Sequence, residues 1–276
     1  MQQVLKAMLE NVRAKTPLVH NITNYVTVND VANVLLAAGG SPIMSDSDDE
    51  VEDNTSICGG LNINIGTLNI NTIPSMFLAG KKANELGHIV LLDPVGAGAS
   101  RLRTDTANRL MQEVRFDAVR GNISEIKTLC TGSGSTKGVD ADAVDAVTEA
   151  NLDDGVQLVK TFAQRAGCIV AVTGAIDLVS DGERCWCIRN GRAEMRRIPG
   201  TGCQLSALMT AFLDATPDPK LAAAAAAVCM MGLAGEIGWA NMQPGDGNST
   251  YRNRIIDAIF NMTGDALEKG AKYELR

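Results

Sequence analysis

Apolar positions recur along this chain in two alternating rhythms: short β-rich runs ending in Gly, Asp or Asn, and amphipathic stretches of helical period. That alternation predicts βαβ units around a mainly parallel sheet. Val28, Val31, Ala32, Leu35 and Leu36 share one helical face, with Thr27 and Asp30 spaced as a capping box and Gly39-Gly40 as the stop. Leu61 to Gly66 predicts a strand and 74–86 a helix. The unbroken apolar run Ile89-Val90-Leu91-Leu92 before Asp93-Pro94 predicts a central strand buried on both faces. Ala118-Val119-Arg120 predicts a strand that leads through Gly121-Asn122 into a helix. The helical stretch 156–166 leads through Gly167 into a strand over 168–173, and 177–180 with 184–189 flank Asp181-Gly182 as a hairpin. Leu205, Leu208, Met209 and Phe212 restore the helical period after Gly200-Thr201-Gly202, and two last helices are expected over 219–235 and 251–268. The Gly/Ser-rich piece 131–138 is expected to be a flexible loop. With no repeat or linker, one domain over 1–276 is the expectation.

Composition narrows the function classes. Apolar residues make up 45% of the chain and charged residues 21%, which is globular and not disordered composition. A formal charge of −7 without any Lys/Arg cluster argues against nucleic acid or an anionic membrane as partner. The N-terminus lacks a basic segment followed by an apolar run, so the cytoplasm is the expected compartment. Leu221 to Gly235 is the one stretch suggestive of a membrane; it is short, rich in Ala and Gly and followed by Glu236, and reads as a buried helix. Seven scattered cysteines without C-x-x-C spacing fit free thiols, with Cys185 and Cys187 on one strand face. His20 and His88 are the only histidines, which excludes a histidine-rich metal centre.

Five constellations carry candidate chemistry at strand ends, where loops and helix N-termini converge in open α/β sheets. Ile198-Pro199-Gly200-Thr201-Gly202-Cys203-Gln204 is a glycine-rich turn entering a helix, an arrangement suited to an anion. Its Cys203 thiol is expected to have a lowered pKa at the helix N-terminus and to accept a proton from an attacking alcohol. Asp93, followed by Pro94-Val95-Gly96-Ala97-Gly98, either opens a turn or holds Mg²⁺ near phosphates. The turn is not a Walker A loop and is a poor dinucleotide fingerprint. Arg120-Gly121-Asn122-Ile123-Ser124-Glu125 reads either as a capping box or as a phosphate-binding Arg with an Asn/Glu pair for hydrated Mg²⁺. Thr173-Gly174 ends a strand with a hydroxyl that either contacts phosphate or caps a turn. Pro17 to Tyr25, with Ser41-Pro42-Ile43-Met44, supplies amides and an apolar Met suited to a small heterocycle, and His20 there is either a base or a satisfied structural group.

Six segments in order, P-L-V-H-N-I-T-N, S-P-I-M, N-I-G-T-L, L-D-P-V-G-A-G-A, V-R-G-N-I-S-E-I and G-T-G-C-Q-L-S-A, make the chain resemble the hydroxyethylthiazole kinases over roughly residues 15 to 270. The resemblance implies a ribokinase-like three-layer sandwich, with a mainly parallel central sheet and helices on both faces. It implies ATP-dependent phosphorylation of the primary alcohol of 4-methyl-5-(2-hydroxyethyl)thiazole, with Mg²⁺. Residue by residue it implies nucleotide contacts at Arg120 and Thr173, substrate contacts at Met44, Gly200 and Asn24, acidic groups near the metal at Asp93 and Glu125, and Cys203 where sugar kinases of the wider group have an aspartate base. It also implies a homotrimer with shared active sites. The acidic run Ser45 to Glu50 and the stretch Gly245 to Thr250 depart from the family pattern at the pocket rim. Alternatives of the same fold are a kinase for another hydroxyalkyl substrate, a pyrimidine or a sugar, and a non-catalytic nucleotide-binding regulator.

Overall fold

A computed structural model describes residues 3–131 and 146–276. Among these, nine strands form one sheet in the order β2-β1-β3-β4-β5-β6-β7-β8-β9. They are β1 (Leu18–Ile22), β2 (Ser41–Met44), β3 (Gly60–Asn64), β4 (Ile89–Asp93), β5 (Ala118–Asn122), β6 (Ile169–Thr173), β7 (Asp177–Ser180), β8 (Cys185–Ile188) and β9 (Tyr273–Leu275). The first six are parallel, and the last three add antiparallel at one edge.

Strand alternation sorts the core into two layers, because successive side chains point to opposite faces. Ile89, Leu91, Ala118, Ile169, Ala171, Val179 and Trp186 meet one set of helices, while Val90, Leu92, Val119, Val170, Val172, Leu178, Cys185 and Cys187 meet the other. On the first face lie α1 (Val4–Lys15), α2 (Val28–Ala38), α8 (Thr201–Ala215), α9 (Lys220–Ala240), α10 (Asn248–Asn261) and α11 (Gly264–Gly270). On the second lie α3 (Val51–Ile57), α4 (Thr72–Leu86), α5 (Arg101–Glu113), α6 (Ile123–Thr131) and α7 (Leu152–Ala166). The three-layer expectation holds, with β4 buried along its whole length.

Several local expectations shift. The last helical stretch splits at Met262-Thr263, where the Thr263 hydroxyl accepts from Ala266 N at 3.1 Å and starts α11. The strand expected to reach Gly66 ends at Asn64, whose side-chain oxygen accepts from Gly66 N at 2.9 Å and turns the backbone. Thr27 stands at the start of α2 without capping it; its hydroxyl donates to Asn24 Oδ1 at 3.0 Å instead, and Asp30 pairs with Arg252 at 3.7 Å. Helix α1 and strand β9 are additions that the hydrophobic pattern did not indicate. Of the stretch 131–138 expected to be a flexible loop, Thr131 ends α6 and the rest lies outside the described residues.

Helix α9 has 21 residues and contains a stretch of mean hydropathy 1.7, long and apolar enough to cross a membrane, yet 89% of that stretch is buried within the protein. Small residues let its neighbours come close. A Cβ on Gly232 would lie 2.7 Å from Asn190 Cβ and 2.8 Å from that residue's carbonyl carbon. Gly232→Ala is therefore expected to destabilise, because overpacking costs about 1–3 kcal/mol against the ~1 kcal/mol that Ala gains in a helix. Urea denaturation checks this; a variant more stable than the parent would show that the contact is not tight.

Candidate active site

The carboxyl ends of β1 to β6 and the N-terminus of α8 converge, and the sequence candidates gather there. Asp93 closes β4 and is fully buried. Its Oδ2 accepts from Asn64 Nδ2 at 2.7 Å and from Ser206 Oγ at 2.8 Å. Its Oδ1 has no hydrogen-bond partner and lies 3.6 Å from Arg120 Nη1. Burial pushes the carboxyl pKa up, while Arg120, Ser206 and Asn64 pull it back.

Arg120 leaves β5 toward this point, and its Nη2 donates to Thr173 Oγ1 at 2.5 Å across the β5–β6 pair. A side chain on Gly202 would run into this guanidinium, so the cation rests directly on the first turn of α8. The positive helix end and the arginine thus form one anion-seeking pole.

Glu125 fulfils the capping-box reading: Asn122 Oδ1 accepts from Glu125 N at 2.9 Å, and Glu125 Oε2 accepts from Asn122 N at 2.7 Å. Its other oxygen accepts from Gly96 N at 2.8 Å, tying the loop after β4 to α6. Burial and then the nearby Asp93 push Glu125 up to about 7, against the pull of these amides and Arg120. Two carboxylates raised together, one with an oxygen that accepts no hydrogen bond, fit a divalent cation, since nearby positive charge relieves both. Among the described residues no group of three or more His, Cys, Asp or Glu could hold a metal. Two protein carboxylates completed by water and phosphate oxygens is the habit of Mg²⁺.

Cys203 lies in the first turn of α8, 8% exposed, among Val19, Val31, Leu35, Ala207 and Ala211, with Met44 and Val95 alongside. Asn24 Nδ2 donates to its sulfur at 3.2 Å. The expected lowering of its pKa is overturned: burial, then Asp93, pushes the thiol up to about 11, outweighing Arg120 and the asparagines. Gly200, with φ +80°, takes a left-handed conformation directly against the Thr27 side chain, where a Cβ has no room.

His20 takes the structural role. It is buried, with Nε2 donating to Ser45 O at 3.0 Å and Nδ1 accepting from the Thr55 hydroxyl at 2.9 Å. Burial holds its pKa below the usual histidine value. Asp46 to Glu50 are exposed, as a solvated rim would be.

Sequence reasoning missed three polar groups at the site. Asn64 and Ser206 hold Asp93. Asp177 accepts from Gly174 N at 2.8 Å and steadies the turn after Thr173, its carboxyl pushed up to about 7 by burial. Asn64 had a readable signal: Asn62 and Asn64 place amides two apart in an otherwise apolar central strand.

Comparison with known proteins shows the family. A family model described as "Hydroxyethylthiazole kinase family" matches residues 9–265. A hydroxyethylthiazole kinase of Clostridium acetobutylicum is 55% identical over 98% of this chain and 99% of its own length. One of Clostridium beijerinckii is 48% identical over 97% and 96%. A solved hydroxyethylthiazole kinase from Pyrococcus horikoshii superposes with a TM-score of 0.88 at 33% identity, covering 100% of both chains. A Bacillus subtilis pyridoxal kinase, solved as an ADP complex, shares the fold at a TM-score of 0.59 and 15% identity, covering 84% of this chain and 94% of that one. With this site and these relatives, the chain belongs to the hydroxyethylthiazole kinase family.

Proposed function

We propose that this chain, as one kinase domain over 1–276, transfers the terminal phosphoryl group of ATP to the primary alcohol of 4-methyl-5-(2-hydroxyethyl)thiazole, a step of thiamine biosynthesis and salvage. The observation that carries the assignment is the meeting of the Arg120 guanidinium, the N-terminus of α8 and two buried carboxylates beside an apolar lining that includes Met44. Phosphoryl transfer asks the protein chiefly to align the alcohol and to neutralise charge on the moving group.

In this reading Arg120 and Thr173 bind the nucleotide phosphates, and the first-turn amides of α8 face the transferring group. Met44, Gly200 and Asn24 hold the thiazole alcohol. Asp93 and Glu125 would hold Mg²⁺, which when bound supplies charge neutralisation on the phosphates. Cys203 stands beside the attacking oxygen. With its thiol pushed up to about 11, little of it is ionised at pH 7, so it is a weak base. The same reading takes the protein as a cytoplasmic homotrimer with sites shared between neighbours. Family likeness supports this, as does the exposure of Tyr25 and Val26 beside Asn24, at 78% and 62%.

Release of ADP tests the reaction. It should require the thiazole alcohol and Mg²⁺, and pyridoxal, hydroxymethylpyrimidine and sugars should be slower; no release with the thiazole would sink the assignment. In the same assay Arg120→Lys should raise the KM for ATP about 10–100-fold, the value of one or two charge-assisted hydrogen bonds. Cys203→Ala is expected to slow kcat about 10²-fold, the low end for base catalysis, with Cys203→Asp equal to or faster than the parent. Because the active form is the thiolate, the parent rate should climb with pH toward 10, a limb that Cys203→Ala lacks; equal profiles would remove Cys203 from the chemistry. Sedimentation should give a particle three times the 29.1 kDa chain, and a monomer at micromolar concentration would refute the shared sites.

A further inference from the structure

We propose that Asn64 is the positioning residue that keeps the alcohol pocket in register with the phosphoryl pole, and that Ser206 supports it on the Asp93 side. The proposal rests on the reading above, in which Asp93 serves the metal and Asn24 with Cys203 serves the alcohol.

Asn64 is 1% exposed at the end of β3, paired in register with Asp93 on β4. Its amide is used at both ends. Nδ2 donates to Asp93 Oδ2 at 2.7 Å, while Oδ1 accepts from Asn24 Nδ2 at 3.0 Å and from Gly66 N at 2.9 Å. Those partners determine its orientation, because a reversed amide would set oxygen against carboxylate and N–H against two donors. Asn24 in turn donates to the Cys203 sulfur at 3.2 Å and accepts from the Thr27 hydroxyl at 3.0 Å. A continuous line of buried side chains therefore runs from Thr27 through Asn24 and Asn64 to Asp93.

Ser206, fully buried, closes the line from the other side by donating to Asp93 Oδ2 at 2.8 Å. With Oδ2 taken twice, Oδ1 is the oxygen left without a hydrogen bond, 3.6 Å from Arg120 Nη1 in an ion pair. Ordinary sheet packing does not call for this: an apolar side chain would suit the end of a strand buried on both faces better than an amide. The two supports differ in reach. Asn64 touches Asp93 and Asn24, one on each half of the site, whereas Ser206 reaches the carboxylate and, at 3.3 Å, only the Gly202 carbonyl one turn back in its own helix.

That difference gives the test, made on the full chain with three readouts: binding of Mn²⁺ in the presence of ADP, without turnover; the Mg²⁺ concentration for half-maximal rate; and the KM for the thiazole alcohol. Asn64→Ala is expected to weaken Mn²⁺ binding and to raise both kinetic constants about 10–100-fold, the usual range for partners behind a metal ligand. Ser206→Ala should shift the two metal readouts and leave the thiazole KM unchanged, and Ser206→Thr, which keeps the hydroxyl, should restore them. Circular dichroism and thermal melts verify folding; if Asn64→Ala does not fold, the near-isosteric Asn64→Asp replaces it with the same expected direction, since it sets an oxygen against Asp93. Asp93→Asn is the reference. If it weakens Mn²⁺ binding while the Asn64 variant does not, or if the Asn64 variant leaves the thiazole KM unmoved, the proposal falls and the metal assignment stands. If Asp93→Asn leaves Mn²⁺ binding intact, the metal assignment falls and takes this proposal with it.

Discussion

A carboxylate without solvent at the end of a central strand is tolerable only while donors and opposite charge surround it. Asp93 meets that condition through Asn64, Ser206 and Arg120, which come from β3, α8 and β5. Three elements distant in sequence are thereby held to one point, and the geometry of the site follows from it. The approach of α8 to the sheet depends on the same economy of space. Gly60 brings β3 so near that an added Cβ would lie 2.8 Å from the Thr210 methyl, and Gly202 leaves the gap that Arg120 fills.

The buried titratable groups at these strand ends are held away from their ordinary ionisation. Glu125 and Asp177 are each pushed up to about 7, and the Cys203 thiol up to about 11, burial being the first cause every time. Burial pushes the core thiols Cys58 and Cys168 up to about 12 as well, so what sets this cluster apart is its buried carboxylates beside Arg120 rather than its thiol.

Much of this was legible in the chain, and the parts that were not have a common cause. The helix after Thr27 and the strand before Pro94 show themselves because burial imposes a period on neighbouring residues. Glycine-rich turns at strand ends likewise announce a ligand site. Ser206 and Asp177 look ordinary in sequence, since their importance lies in contacts with residues 113 positions away in one case and with a tight turn in the other. The Cys203 expectation failed for the same reason. The helix terminus is a local feature and favours the thiolate, but the apolar burial and the Asp93 charge that outweigh it come from elsewhere in the fold. Thr27 shows the reverse: its place before a helix suggests a cap, and the neighbouring Asn24 claims its hydroxyl.

The apolarity of α9 has a consequence for biosynthesis. Newly made and not yet docked, its 21 residues would look to the cell's targeting machinery much like a membrane anchor. The order of the chain shortens that interval, because β6, β7 and β8, on whose face the helix comes to rest, have all been synthesised before it leaves the ribosome. Placing the greasiest segment late lets the sheet receive it at once, a safeguard against misdelivery written into connectivity rather than into any single residue.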